Sequence, residues 1–234
     1  MSNKEAGFLS CDLWQQHEQR VHQALSLALQ KLADRAVLPA GEPQITRELW
    51  FLLQESVQEL DPDGVLMPTP PYLEACNQPD PEDRAGTPRE SKRPDIQWGF
   101  RDIHSDPRKS ARNLAIECKR LGSPTSPNWN LNENYVVRGI SRFVEVEWAY
   151  GQSCPSGTMV GYVQNMNLDS ILLEVNETAR RSKIPEVVRS GDAWQQGGVS
   201  RLHHQFERPT RPSPFELAHL WVDVRGCYPQ TPVT

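Results

Sequence analysis

The chain has 234 residues, a net charge of −5, 20 prolines and five cysteines. That length suits one domain of ordinary size with a sizeable core. The opening MSNKEAGFLSCD has no long apolar run, so no signal peptide is expected, and no apolar stretch reaches the ~18 residues of a membrane span. Cys11, Cys76, Cys118, Cys154 and Cys227 are odd in number, without close metal-ligand spacing. This argues against a disulfide framework or zinc ribbon and points to a reduced, cytoplasmic compartment.

Asp12 to Ala33 reads as a helix, with Trp14, Val21, Ala24, Leu25, Ala28 and Leu32 as its apolar stripe. Pro39, Gly41 and Pro43 break the chain. A second helix runs over Gln44–Leu60, with Ile45, Leu49, Leu52, Leu53 and Val57 inward. Glu48 sits beside that apolar face, either pointing towards the segment Arg93 to Gly122 or solvated. Asp61 to Arg89 is a proline-rich connection, and loops of this length are often functional or disordered. Its acidic Asp80–Asp83 stretch reads as a lid or a surface loop near the cleft. The expected organisation is a single domain over 1–234: helices in 1–60, the connection in 61–92, a core in 93–234.

From Arg93 to Gly122 two alternating segments flank a polar loop with Asp106-Pro107 at its turn. With the turn near Asp106, residue i pairs with 212 − i, so Asp95 faces Glu117. Ile96, Trp98, Phe100, Leu114, Ile116 and Cys118 then share a core face, while Asp95, Glu117 and Lys119 share the other. Two carboxylates this close need a positive charge between them. Mg²⁺ favours one or two carboxylates with water and phosphate oxygens, and Mn²⁺ is a possible substitute. Lys119 is placed to orient an attacking water or to stabilise phosphate charge. A surface hairpin with a cross-strand ion pair is the alternative.

Ser123–Asn134 reads as a loop and Tyr135–Tyr150 as a helix, with Val136, Ile140, Phe143, Val144 and Trp148 inward. Arg138 and Arg142, four apart, are either a phosphate clamp or a pair of surface arginines. Gly139 within this helix hints at the close approach of another backbone. Thr158–Val163 reads as a buried strand, Asn167–Ser182 as an amphipathic helix, and Val199–Phe206 and Phe215–Val224 as strands. His203, His204 and His219 read as structural. The order of elements suits an α/β fold with a mixed sheet flanked by helices. Charge is unevenly spread: twelve Lys/Arg against six Asp/Glu from Arg84 to Arg142, a band suited to a phosphate backbone or to a solvated face.

Pro94-Asp95, a spacer of 21 residues, and Glu117-Cys118-Lys119 resemble the PD-(D/E)XK motif of the restriction-endonuclease-like nuclease superfamily. The resemblance covers roughly Gln44 to Val163. It implies a restriction-endonuclease-like core with N-terminal helices, and Mg²⁺ held by Asp95, Glu117 and the Cys118 carbonyl. Lys119 is then catalytic, and Glu48 is the candidate for the glutamate many members add from a preceding helix. The implied activity is hydrolysis of DNA in restriction or anti-phage defence, as the effector of a complex with an ATPase or sensor subunit. Double-strand cutting would imply a homo-oligomer. A catalytically silent subunit of the same fold serving binding or assembly is the alternative, and an exonuclease or RNA nuclease a third.

Overall fold

The computed structural model describes residues 3–79 and 87–228. One mixed sheet of seven strands organises them, in the order β1-β2-β3-β4-β7-β6-β5. The strands are β1 (Pro71–Leu73), β2 (Ile96–Arg101), β3 (Ala111–Leu121), β4 (Ser156–Val163), β5 (Val188–Arg189), β6 (Val199–Phe206) and β7 (Phe215–Asp223). β3, β4 and β7 run parallel at the centre, and the outer pairs are antiparallel. The fold is therefore α/β, with helices on both faces of an open sheet.

On one face lie α1 (Asn3–Ala33) and α2 (Glu42–Leu60). Trp14, Leu25, Leu29 and Leu53 pack there against Trp98, Ile116, Cys118, Val160 and Leu220. On the other lie α3 (Leu131–Tyr135), a π turn (Val136–Ile140), α4 (Ser141–Val144) and α5 (Leu168–Arg181). Tyr135, Ile140, Phe143, Ile171 and Val175 pack there against Ala115, Leu121, Met159 and Trp221. The side-chain period of two is what assigns each strand residue to one core or the other.

The β2–β3 register is Ile96↔Ile116, Gln97↔Ala115 and Trp98↔Leu114, each pair summing to the expected 212. Four expectations need correction. The helix expected over Tyr135–Tyr150 begins at Leu131, capped by the Asn130 side chain accepting from Glu133 N–H, and helical structure stops at Val144. Beyond it Ala149 takes a positive φ of 44° and the Tyr150 N–H returns to the Arg142 carbonyl at 3.1 Å, so the chain curls into a turn. Two short edge strands were not anticipated: β1, inside the proline-rich connection, and β5. α1 begins well before Asp12, at Asn3. α2 begins before Gln44, with Pro43 in its first turn, where a missing N–H costs nothing. The Asp80–Asp83 stretch lies outside the described residues.

Arg208 holds the turn after α4. Its guanidinium is almost wholly buried and donates to the carbonyls of Phe143 (2.9 Å), Tyr150 (2.7 Å), Gly151 (2.9 Å) and Pro212 (2.9 Å), over the Phe215 ring at 3.7 Å. Carbonyl oxygens at a helix end need donors, and a buried guanidinium needs acceptors. Each meets the other's requirement.

Several histidines are buried neutral. Burial, helped by Arg20, lowers the His17 pKa to about 4, and burial with Arg201 does the same for His22. Burial also lowers His204 to about 4. The unfolded chain binds these protons near ~6.5, the folded chain only near 4, so acidification through that window favours unfolding. His22 Nε2 lies 2.9 Å from the Thr158 hydroxyl, a contact that glutamine can keep. We expect His22→Gln to flatten the pH dependence of stability between pH 6.5 and 4 by up to about 1.4 kcal/mol per pH unit. Urea midpoints across that range check this; an unchanged slope would mean that His22 titrates normally in the folded chain.

Candidate active site

Glu117 and Lys119 stand two apart on β3, on the face covered by α3 and the π turn. Glu117 is fully buried, and the Lys119 side chain is 8% exposed. The Lys119 ammonium lies 2.7 Å from Glu117 Oε1, 2.9 Å from Glu42 Oε1 and 3.7 Å from Asp95 Oδ2, and donates to the Cys118 carbonyl at 2.7 Å. Arg142 donates to the same Glu117 oxygen from the other side. Its guanidinium stacks on Trp148 at 4.4 Å. Asp95 Oδ2 also accepts from Cys118 N–H at 2.7 Å, which ties the residue before β2 onto β3. Three carboxylates and two cations thus share one cluster.

The helical segment above is shaped to Lys119. A Cβ added to Gly139 would stand 2.6 Å from Met159 Cε and 3.3 Å from Lys119 Cγ. The expected close approach is therefore to side chains, not to another backbone. The π turn around Gly139 widens the helix where it crosses the lysine, and such turns frequently mark functional sites.

Burial, reinforced by the Asp95 charge, raises the Glu117 pKa to about 8 against the pull of Lys119 and Arg142. Burial also raises Asp95, with Lys119 and the Cys118 N–H opposing it. For Lys119, burial works to lower the pKa, but Glu117, Asp95 and Glu42 outweigh it and hold the ammonium above its ordinary value. Glu117 Oε2 is buried and finds no hydrogen-bond partner among the described residues.

Asp95, Glu117, the Cys118 carbonyl and Lys119 are brought together, and Arg142 joins them. Glu48 is not in the cluster. Its carboxylate lies at the surface, 39% exposed and 3.8 Å from Arg47. The glutamate that reaches Lys119 from this helix is Glu42, whose second oxygen accepts from Arg120 N–H at 3.1 Å. It was missed because the expected helix began at Gln44; an acidic residue in a first helical turn is the signal that was there to read. Arg138 is exposed and stacks on Trp129 at 4.7 Å, apart from Arg142. Tyr150, also missed, has a buried hydroxyl without a partner among the described residues.

Among the described residues, no three His, Cys, Asp or Glu side chains are grouped so as to hold a metal ion. The carboxylates are gathered on the Lys119 ammonium instead. The donor set nonetheless fits Mg²⁺, which takes one or two carboxylates and keeps several waters. Asp95, Glu117 and the Cys118 carbonyl would supply it, and Glu117 Oε2 is already desolvated and unpartnered among the described residues. No protein-family model, curated protein or solved structure matches this chain.

If the ammonium and a divalent cation compete for the same oxygens, Lys119→Met should uncover that competition. Without metal the variant should lose about 3–5 kcal/mol, because buried carboxylates are left with Arg142 alone. Millimolar Mg²⁺ or Ca²⁺ should raise its Tm by more than it raises that of the wild type. Thermal melts with and without each ion check this; a variant as indifferent to divalent ions as the wild type would remove the competition.

Proposed function

We propose that this chain is a divalent-metal-dependent nuclease of the PD-(D/E)XK type that hydrolyses DNA phosphodiester bonds. The observation that carries the reading is the convergence of Asp95, Glu117 and Lys119 on one sheet face, with Glu117 Oε2 buried and unpartnered. The arrangement of elements supports it too: a helix that supplies Glu42, then the hairpin, then a helix over the site, then a parallel strand. A bound Mg²⁺ or Mn²⁺ would supply Lewis-acid charge and a bound water of lowered pKa. Asp95, Glu117 and the Cys118 carbonyl would hold it.

The remaining work belongs to the side chains. Lys119 stays protonated beside its carboxylates, so it orients the attacking water or neutralises phosphate charge rather than taking a proton. Arg142, fixed on Trp148, adds a second positive charge on the phosphate side. The setting we propose, on the resemblance alone, is restriction or anti-phage defence with a partner ATPase or sensor. One observation favours a silent binding subunit instead: Lys119 and Arg142 already meet Glu117 directly, which pairs that carboxylate without any metal.

Cleavage of supercoiled and linear DNA in Mg²⁺ and in Mn²⁺ decides between them. We expect cleavage by the wild type and a loss of 10²-fold or more, on the order of one lost electrostatic contact, in both Glu117→Ala and Lys119→Ala. No cleavage with either ion, together with no heat of metal binding by calorimetry, would establish the silent subunit.

A further inference from the structure

Along the same sheet face, towards the hairpin tip, lies a cavity of about 580 Å³. Gln97 and Ala115, paired across β2 and β3, contribute to its lining. The next same-face pair along the hairpin is Asp95 with Glu117. The step between them is two residues of strand, about 6–7 Å at ~3.3 Å per residue. The turn after α4 borders both places: its Trp148 stacks with Arg142 of the cluster, while its Ala149 and Gly151 line the cavity.

The lining is cationic in an acidic chain. Arg89, Arg108, Lys109, Arg112 and Arg211 contribute to it, and Asp106 is the only acid among its described lining residues. Two of the arginines are fixed from below. Arg112 is held 2.6 Å from the buried Asp102, and Arg89 donates to the Gln78 carbonyl at 3.1 Å. Arg108 and Lys109 lie exposed on the 3-10 turn Pro107–Lys109 at the hairpin tip, and Arg211 is exposed opposite. Asn113 and Gln152 add uncharged carboxamides of the kind that pair with a base edge. The volume is within the ~300–1,000 Å³ of sites that enclose one small ligand, and far below what a duplex needs.

We propose that this cavity receives one unpaired nucleotide of the strand whose adjoining phosphodiester lies at Asp95 and Glu117. The inference rests on the nuclease reading and narrows it: the substrate is single-stranded, or carries a frayed or flapped end. The cations meet phosphate, and the carboxamides meet the base. A free nucleotide offers the same chemistry, but the shared face and the single step to the cluster favour a strand that runs through both.

The test is binding without cleavage. A labelled 20-nucleotide single strand, its duplex and dAMP are titrated by fluorescence anisotropy or calorimetry in EDTA, against wild type, Arg108→Glu/Lys109→Glu, and separately Arg211→Glu. Circular dichroism establishes that each is folded; Arg35→Glu, on the loop after α1, controls for the charge change of Arg211→Glu, and Arg35→Glu/Lys183→Glu for that of the double variant. We expect the single strand to bind at least tenfold tighter than the duplex and dAMP to compete weakly. The double variant should lose tenfold or more, and its salt slope should shrink by about 1.4, for two phosphate contacts on a single strand. Equal binding of strand and duplex, or variants no weaker than their charge controls, overturns the proposal, as does dAMP binding tighter than the strand. Cleavage in Mg²⁺ is scored separately. Strand preference without any cutting upholds the cavity and removes the nuclease reading. Cutting of duplex that ignores the cavity variants does the reverse.

Discussion

The ion pair between Glu117 and Lys119 in the middle of β3 is the constraint on which the rest depends. β3 runs beside a parallel strand and is covered on both faces, and such strands are ordinarily apolar throughout. Taking each of these charges out of water costs several kcal/mol, which mutual attraction offsets only when every lone pair and proton is satisfied. That condition is not met. With all five groups ionised, three carboxylates face two cations, and one negative charge is left over. Burial works against that extra charge, lifting the Glu117 pKa to about 8. A divalent cation would relieve it the other way.

The neighbouring elements are arranged around that pair. α2 begins where its first acidic residue, Glu42, meets the lysine, so one side chain serves both the helix dipole and the cluster. The helix above widens into a π turn at Gly139, where the lysine stem passes. It then ends at Val144, and Arg208 gathers the freed carbonyls of Phe143, Tyr150 and Gly151. That capping fixes the turn carrying Trp148, and Trp148 in turn supports Arg142 against Glu117. Arg208 touches none of the charged groups, yet the position of one of them runs back to it.

How much of this was legible in the sequence depends on the range of each interaction. The hairpin register was readable because a period of two leaves each strand residue only two faces, and a slip of one residue would have exchanged Leu114 and Ile116 for Asn113 and Ala115. β6 was readable for the same reason, β7 less cleanly because its second half is buried on both faces, and α5 from its amphipathic stripe. Glu42 was not, since a proline-flanked break hides a helix start that Pro43 actually favours. β1 was hidden among prolines because it gains its place only by pairing with β2. The early end of the helix at Val144 depends on Arg208, distant in the chain, and no local pattern carries that. Glu48 was a reasonable expectation from the helix face alone; the choice between it and Glu42 is made by where α2 crosses β3.

The unpartnered Glu117 Oε2 separates the two readings of the site. A cluster kept only for packing would be better replaced by apolar residues, which are often neutral or stabilising in place of buried ion pairs. A closed network would also leave no orphan, since an unpaired buried acceptor costs about 1–3 kcal/mol or more when charged. Here Arg142 and Lys119 both crowd onto Glu117 Oε1 and leave Oε2 bare. Two donors on one oxygen and none on its twin suit a structural ion pair badly. They suit a carboxylate whose second oxygen is reserved for a ligand. The overall charge of −5 does not oppose this, because an approaching anion meets the local field, and Lys119 and Arg142 both stand against that carboxylate.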